Sequence, residues 1–200
     1  MKNIFYIILL FGIIFSSCEK ESDAEIPVFQ LEEPSQLNEL EYDIYTLILN
    51  ENIKNSDVVI HQKTSIIDEK LADYMFQNDS LNIVDDFTIE NYYNLNSVDS
   101  FLDNKFDFDN GKVSLISPSE FNYLFRNQND NQNWDNFYEF YPSSFGIVQF
   151  SRIGFNNEFN QAILDYSRFD RDENGEQRFY FLTKIDEIWR IKFYGEIRTN

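Results

Sequence analysis

The chain reads as an α+β protein, with N-terminal helices packed on a C-terminal four-stranded antiparallel meander. Three observations predict this. First, Ser143 to Tyr194 holds four short aromatic or β-branched runs: Phe145–Ile153, Glu158–Tyr166, Arg178–Ile185 and Ile188–Tyr194. Turn signals separate them, at Gly154–Asn157, Asp170–Gly175 and Asp186-Glu187, which is the pattern of consecutive hairpins. Second, the last run alternates, with Trp189, Ile191 and Phe193 on one side and Arg190 and Lys192 on the other. A period of two marks a strand with one packed face and one wet face. Third, the apolar residues upstream recur at helical spacing, and the sheet needs that cover. The unbroken Phe179-Tyr180-Phe181-Leu182 predicts a central strand covered on both faces.

In chain order, Met1–Ser17 is a targeting segment. Lys2 supplies its charge, and the 12 residues Ile4–Phe15 are apolar throughout. That is too short to span a bilayer, which takes ~20 residues as a helix. Small residues and a cysteine follow, as in a secretory signal that ends at a lipid-attachment site. Phe15-Ser16-Ser17-Cys18 resembles the lipobox of bacterial lipoproteins, with Phe15 in the place of the common leucine. The resemblance implies cleavage before Cys18, a diacylglycerol thioether on its sulfur and a further acyl chain, such as palmitate, on the new N-terminus. Glu19 rather than aspartate after the cysteine implies, by the enteric sorting pattern, the outer membrane. Glu19-Lys20-Glu21 is similar to the export tag of surface-exposed lipoproteins, so the periplasmic face and the cell surface both stay open.

Residues 18–34 then form the anchor and an acidic tether with Pro27 and Pro34, and 35–200 form one globular α+β domain. An acidic tether is repelled by an anionic membrane and stands extended. The first helix spans Gln36–Ile53, with Leu37, Leu40, Ile44, Leu47 and Ile48 on one face and Ser35 as its cap. Val58-Val59-Ile60 is a short buried strand, and a second helix covers about Ser65–Phe76. Residues 79–104 are ambiguous, with a brief strand at Leu81/Ile83 and a helical turn or two around Val98, Phe101 and Leu102. Asp109-Asn110-Gly111 predicts a hairpin between Phe106/Phe108 and Val113/Leu115. Ser117-Pro118-Ser119-Glu120 marks a helix start, by serine cap and first-turn proline, for a helix that ends near Arg126. After the polar loop Asn127–Asn133, the residues Trp134, Phe137, Tyr138 and Tyr141 recur at helical spacing until Pro142. This aromatic stripe is expected to cover the sheet.

Residues 134–194 also carry a longer pattern: Tyr141-Pro142-Ser143-Ser144-Phe145-Gly146, Ser151-Arg152-Ile153-Gly154-Phe155-Asn156, Ala162 and Trp189-Arg190-Ile191. It resembles the C-terminal part of a set of uncharacterised bacterial lipoproteins, with a Y-P-x-S-x-G start, S-x-x-G-F-N, an alanine strand and a closing W-x-I strand. No activity comes with that set, so the resemblance implies no functional residue. Its glycines, aromatics and small residues are what turns and strand packing require.

Composition narrows the function. The chain has 200 residues, 18% of them aromatic, and 16 basic against 35 acidic residues, a net charge of −19. Cleavage at Cys18 removes Lys2, leaving 15 basic against 35 acidic residues, a net charge of −20. This field repels a phosphate backbone, so no nucleic-acid partner is expected. It equally disfavours lying flat on an anionic bilayer, so the membrane is reached through the lipid. Cys18 is the only cysteine, which rules out an intrachain disulfide. The remaining partner is an envelope protein or other envelope ligand.

Few chemistries fit. His61 is the only histidine, at the end of Val58–Ile60, where a histidine meeting solvent or a backbone carbonyl is expected rather than a triad member. Neither a G-x-S-x-G nor a zinc cluster occurs, and no catalytic set is read from the sequence. Asp170-Arg171-Asp172-Glu173-Asn174-Gly175 matches the first half of a calcium loop, with Asp170, Asp172 and Asn174 as ligands. Position twelve is Phe181 instead of glutamate, and a hairpin connection is rich in Asp, Asn and Gly in any case. A plain turn with no cofactor is therefore expected over a calcium site. Two functions remain. One is a non-enzymatic, lipid-anchored binding or interaction module. The other is a small-molecule or glycan-handling pocket in a cone-shaped α+β fold, where Asp165 with Tyr166 or Tyr180 nearby would transfer protons.

Overall fold

The structure, a computed structural model, describes residues 27–66, 83–171 and 175–197. The signal segment, Cys18, Asp172, Asn174 and most of the helix expected at 65–76 lie outside the described residues. Within them the chain is α+β, with four helices and one mixed sheet of seven strands. In order these are α1 (Glu39–Asn52), β1 (Asp57–His61), α2 (Asp86–Leu95), β2 (Val113–Ile116), α3 (Pro118–Leu124), α4 (Asp130–Phe140), β3 (Ser144–Phe150), β4 (Gly154–Phe155), β5 (Gln161–Phe169), β6 (Glu176–Ile185) and β7 (Ile188–Ile197).

The sheet order is β2-β1-β3-β5-β6-β7, with β4 paired to β5 off this path. The expected meander is part of it. β5, β6 and β7 follow one another as antiparallel hairpins, and β3 pairs antiparallel with β5 after the detour through β4. The sheet does not end there, because β1 and β2 extend it by parallel pairing. That pairing overturns the hairpin expected at Asp109-Asn110-Gly111. Val113–Ile116 bonds to Val58–His61 in parallel, while Phe106 and Phe108 pack under α1 without forming a strand.

Alternate residues of each central strand enter different cores, as the strand period requires. Val58, Ile60, Val148, Phe150, Leu164, Tyr166, Tyr180 and Leu182 pack with Tyr45, Ile48 and Leu49 of α1. On the opposite face, Val59 and Ile147 pack with Leu124 of α3 and Trp134 and Phe137 of α4. Ile163, Phe179 and Phe181 on that same face pack with Tyr92 of α2. Helices therefore cover both faces, and the Phe179–Leu182 run lies between them as expected. Trp134 and Phe137 are core residues, as the aromatic stripe predicted.

Several local expectations shift. Asn38, not Ser35, caps α1, because it forms a reciprocal capping box with Glu41; Ser35 instead pairs with the backbone of Phe101. α2 occupies part of the stretch read as ambiguous. Only Thr88 and Tyr92 of its ten residues are buried, so its apolar stripe is too thin to show. The helical turns expected around Val98–Leu102 do not form; the chain bends at Val98, and Phe101 bridges to Lys63. α4 starts at Asp130, inside the loop expected at Asn127–Asn133, because Asn129 caps it. In β7 the alternation breaks. Phe181 pairs with Phe193 but Leu182 pairs with Ile191, so Lys192 is an extra residue. That bulge sends Phe193 to the α2 face while Trp189 and Ile191 stay on the α1 face.

Glycine 154 is required by close approach. A Cβ there would stand 2.4 Å from Tyr92 Cβ and 2.6 Å from the Thr88 carbonyl. β4 thus lies directly on the backbone of α2. Gly154→Ala is expected to cost ~1–3 kcal/mol by overpacking, lowering Tm by several degrees in a chain of this size. An unchanged melting temperature would show that α2 yields freely.

Candidate functional site

The S-x-x-G-F-N segment is where the sheet, α1 and α2 meet. Between β3 and β4 the chain leaves the regular ladder, so its polar groups need other partners. Ser151 exchanges bonds with Asp165: its N–H donates to the Asp165 carbonyl (3.0 Å), and its Oγ accepts from the Asp165 N–H (2.8 Å). Asn96, buried at the C-cap of α2, holds Arg152 by its backbone, accepting from the N–H at 2.7 Å and donating to the carbonyl at 3.0 Å. The Arg152 guanidinium forms a two-bond fork with Glu41 of α1, with Nε to Oε2 and Nη2 to Oε1 both 2.8 Å. Its Nη1 donates to Ser100 Oγ.

Glu41 is 2% exposed, and further donors satisfy it. Its carboxylate accepts from the N–H groups of Asn38 (3.1 Å) and Ile153 (3.2 Å) and from the Tyr45 hydroxyl (3.4 Å). Burial alone would lower the Arg152 pKa, but the hydrogen bonds and charge of Glu41 outweigh it and raise the pKa above its ordinary value. Tyr45, fully buried, directs its single proton to the Ser151 carbonyl at 2.7 Å, with Glu41 a longer second acceptor, and burial raises its pKa well above the usual tyrosine value. The motif's last residues are fixed as well. Phe155 N–H donates to Asn91 of α2, and Asn156 Oδ1 accepts from the N–H groups of Asn160 and Gln161.

Above this network opens a cleft of about 330 Å3 between the start of α1, α2 and the turn after β4. Glu41 and Arg152 form its floor, and the amides of Asn38, Asn91, Asn156 and Asn157 line it. Two rings, Phe87 and Phe159, stand on its sides and are 41% and 43% exposed. Phe159 has a φ of 52°, a left-handed conformation that is costly for a bulky non-glycine residue.

The pocket residues expected from sequence are not gathered in one place. Asp165 and Tyr166 are neighbours on β5 and face opposite sides of the sheet. Tyr166 and Tyr180 meet edge to face in the α1 core, their centroids 6.1 Å apart. Asp165 instead accepts from the hydroxyl of Tyr92, at 2.9 Å, on the α2 side. The tyrosine beside the carboxylate is therefore Tyr92, which sequence spacing could not indicate, 73 residues away. Asp165 Oδ1 is buried with no hydrogen-bond partner among the described residues. His61 meets the Lys63 carbonyl at 2.9 Å, and burial lowers its pKa, with that bond opposing; this is the backbone-carbonyl setting expected for it. Asp170 follows β5, and its two companions in the calcium half-loop lie outside the described residues. Among the described residues no three His, Cys, Asp or Glu side chains come together as a metal site would require.

Burial raises the Asp165 pKa from 3.8 to about 6, against the opposing bond from Tyr92. The folded chain therefore keeps a proton that the unfolded chain releases at lower pH. The stability this supplies is full below about pH 4 and is lost as pH rises through about 6, a change of ~3 kcal/mol. Asp165→Asn keeps an acceptor for Tyr92 and carries no titration. Denaturant unfolding across pH 4–7 is expected to fall less steeply for the variant than for the natural chain; parallel curves would contradict the assignment. Comparison of the chain with models of protein families, with curated proteins and with solved structures finds no match in any of the three.

Proposed function

We propose that this is a lipid-anchored protein of the bacterial outer membrane, and that its globular part is a non-enzymatic binding module whose ligand seat is the cleft between α1 and α2. The anchor rests on the lipobox-like Phe15-Ser16-Ser17-Cys18, followed by an acidic tether. No helix among the described residues is long and apolar enough to cross a membrane. The observation that carries the binding reading is the state of the cleft's charged groups. Glu41 and Arg152 are committed to each other and to backbone groups, so neither is free to move a proton. What faces outward is amide and aromatic surface, which recognises without reacting.

A small-molecule or glycan-handling pocket of the cone-shaped α+β type is the second reading, and Asp165 is its specific support. A buried carboxyl with a pKa raised to about 6 and a free oxygen is suited to proton transfer.

One experiment tests the first reading. A photoreactive residue is placed at Asn157, on the cleft, or at Glu51, exposed on α1, in chains carrying Cys18 or Cys18→Ala. In the native cells, Asn157 is expected to give one recurring adduct and Glu51 none, and Cys18→Ala is expected to release the protein from membranes. Equal labelling from both positions would remove the cleft as the seat, and membrane retention of the Cys18→Ala chain would remove the anchor.

A further inference from the structure

The same cleft points to a ligand class, an inference that rests on its being the binding seat. We propose that it takes a neutral oligosaccharide. Three features of the surface converge on that chemistry.

The first is the pair of rings. Phe87 and Phe159 stand half-exposed on the sides of a polar cleft, and Phe159 is held there by a left-handed backbone. A turn with a glycine at that position would be less strained. The chain keeps a phenyl ring in contact with water instead, tilted against the buried Phe155 with the centroids 5.5 Å apart. A flat apolar ring facing a cleft suits the C–H face of a sugar.

The second is the type of polar group. Asn38, Asn91 and Asn157 offer amides at the opening. Asn91 uses its carbonyl oxygen on Phe155 N–H, and Asn38 uses its own on Leu40 N–H, which leaves their NH2 groups as donors toward the cleft. An amide can both donate and accept, as a hydroxyl does. An array of hydroxyls is the ligand surface that matches it.

The third is charge. The floor pair Glu41–Arg152 cancels within one fork, so the cleft has no net charge to attract an ion. The chain around it has a net charge of −19, which repels polyanions. A sulfated or sialylated chain, a phosphate ester and an acidic peptide are all disfavoured. A volume of about 330 Å3 is at the low end of small-ligand sites, which suits the end of a glycan better than a folded partner.

The test is a printed array of oligosaccharides probed with the intact lipidated chain in detergent. Neutral glucans, mannans and chitin fragments stand beside anionic heparin and polysialic acid fragments. Binding is expected to a subset of the neutral sugars and to change little between low and high salt. Phe159→Ala is expected to weaken it about tenfold, while Phe169→Ala, an exposed ring on β5 away from the cleft, leaves it unchanged. As a second readout, the bound sugar should slow amide hydrogen exchange at 156–160 in the natural chain. Binding to anionic sugars alone, binding that salt abolishes, binding that ignores Phe159, or no sugar binding at all would each overturn the proposal. A crosslinked protein at Asn157 with no sugar on the array would leave the cleft as the seat and make the ligand a polypeptide.

Discussion

The buried ion pair between Glu41 and Arg152 is the constraint on which the rest of the arrangement depends. Two charges taken out of water cost several kcal/mol each, and only close geometry with every remaining lone pair satisfied recovers that. The fork here meets that condition, with two 2.8 Å bonds, a helix-cap N–H and the Ile153 N–H, and a longer approach from the Tyr45 hydroxyl. These donors come from two stretches, residues 38–45 at the start of α1 and 152–153 after β3. The cap fixes where α1 begins, Ile153 fixes how the chain leaves β3, and Asn96 ties the same arginine to the end of α2. One pair therefore sets the relative positions of both helices and the β3–β4 connection. The same commitment leaves the cleft above it with a neutral, unreactive floor.

Gly154 and Asp165 follow from that placement. Once Arg152 is pinned, β4 must lie against α2, and a side chain at 154 would occupy the space of Tyr92. Tyr92 is thereby brought over β5, where its hydroxyl meets Asp165. The carboxyl is buried because the helix lies over it, and its raised pKa comes from that burial rather than from a charged neighbour. Network, close approach and perturbed acid are three results of one docking.

Elements whose cause is local were legible in the sequence. The strands around 178–185 and 188–194, the buried Val58–Ile60 and the Ser117-Pro118 helix start all carry their signal within a few residues. The six-residue S-x-x-G-F-N pattern was legible as a motif, but what it does was not, since its partners lie at residues 41, 91 and 96. The parallel pairing of β1 with β2 and β3 depends on chain segments dozens of residues apart. The bulge at Lys192 carries no glycine to announce it, and α2 buries too little to display a stripe. Asp165 is legible as an acid in a strand, but the tyrosines that the sequence offers near it are Tyr166 and Tyr180, on β5 and β6. The strand period places Tyr166 on the other face, and only the fold supplies Tyr92.

The most direct measurement is a double-mutant cycle on the pair, read by denaturant unfolding, with Glu41→Gln, Arg152→Met and the double variant. If the pair organises the fold, each single change leaves a buried charge unmatched and costs ~3–5 kcal/mol. The double variant should then lose much less than the sum, with a coupling of about 2 kcal/mol or more. Single losses below ~1 kcal/mol that simply add would contradict it.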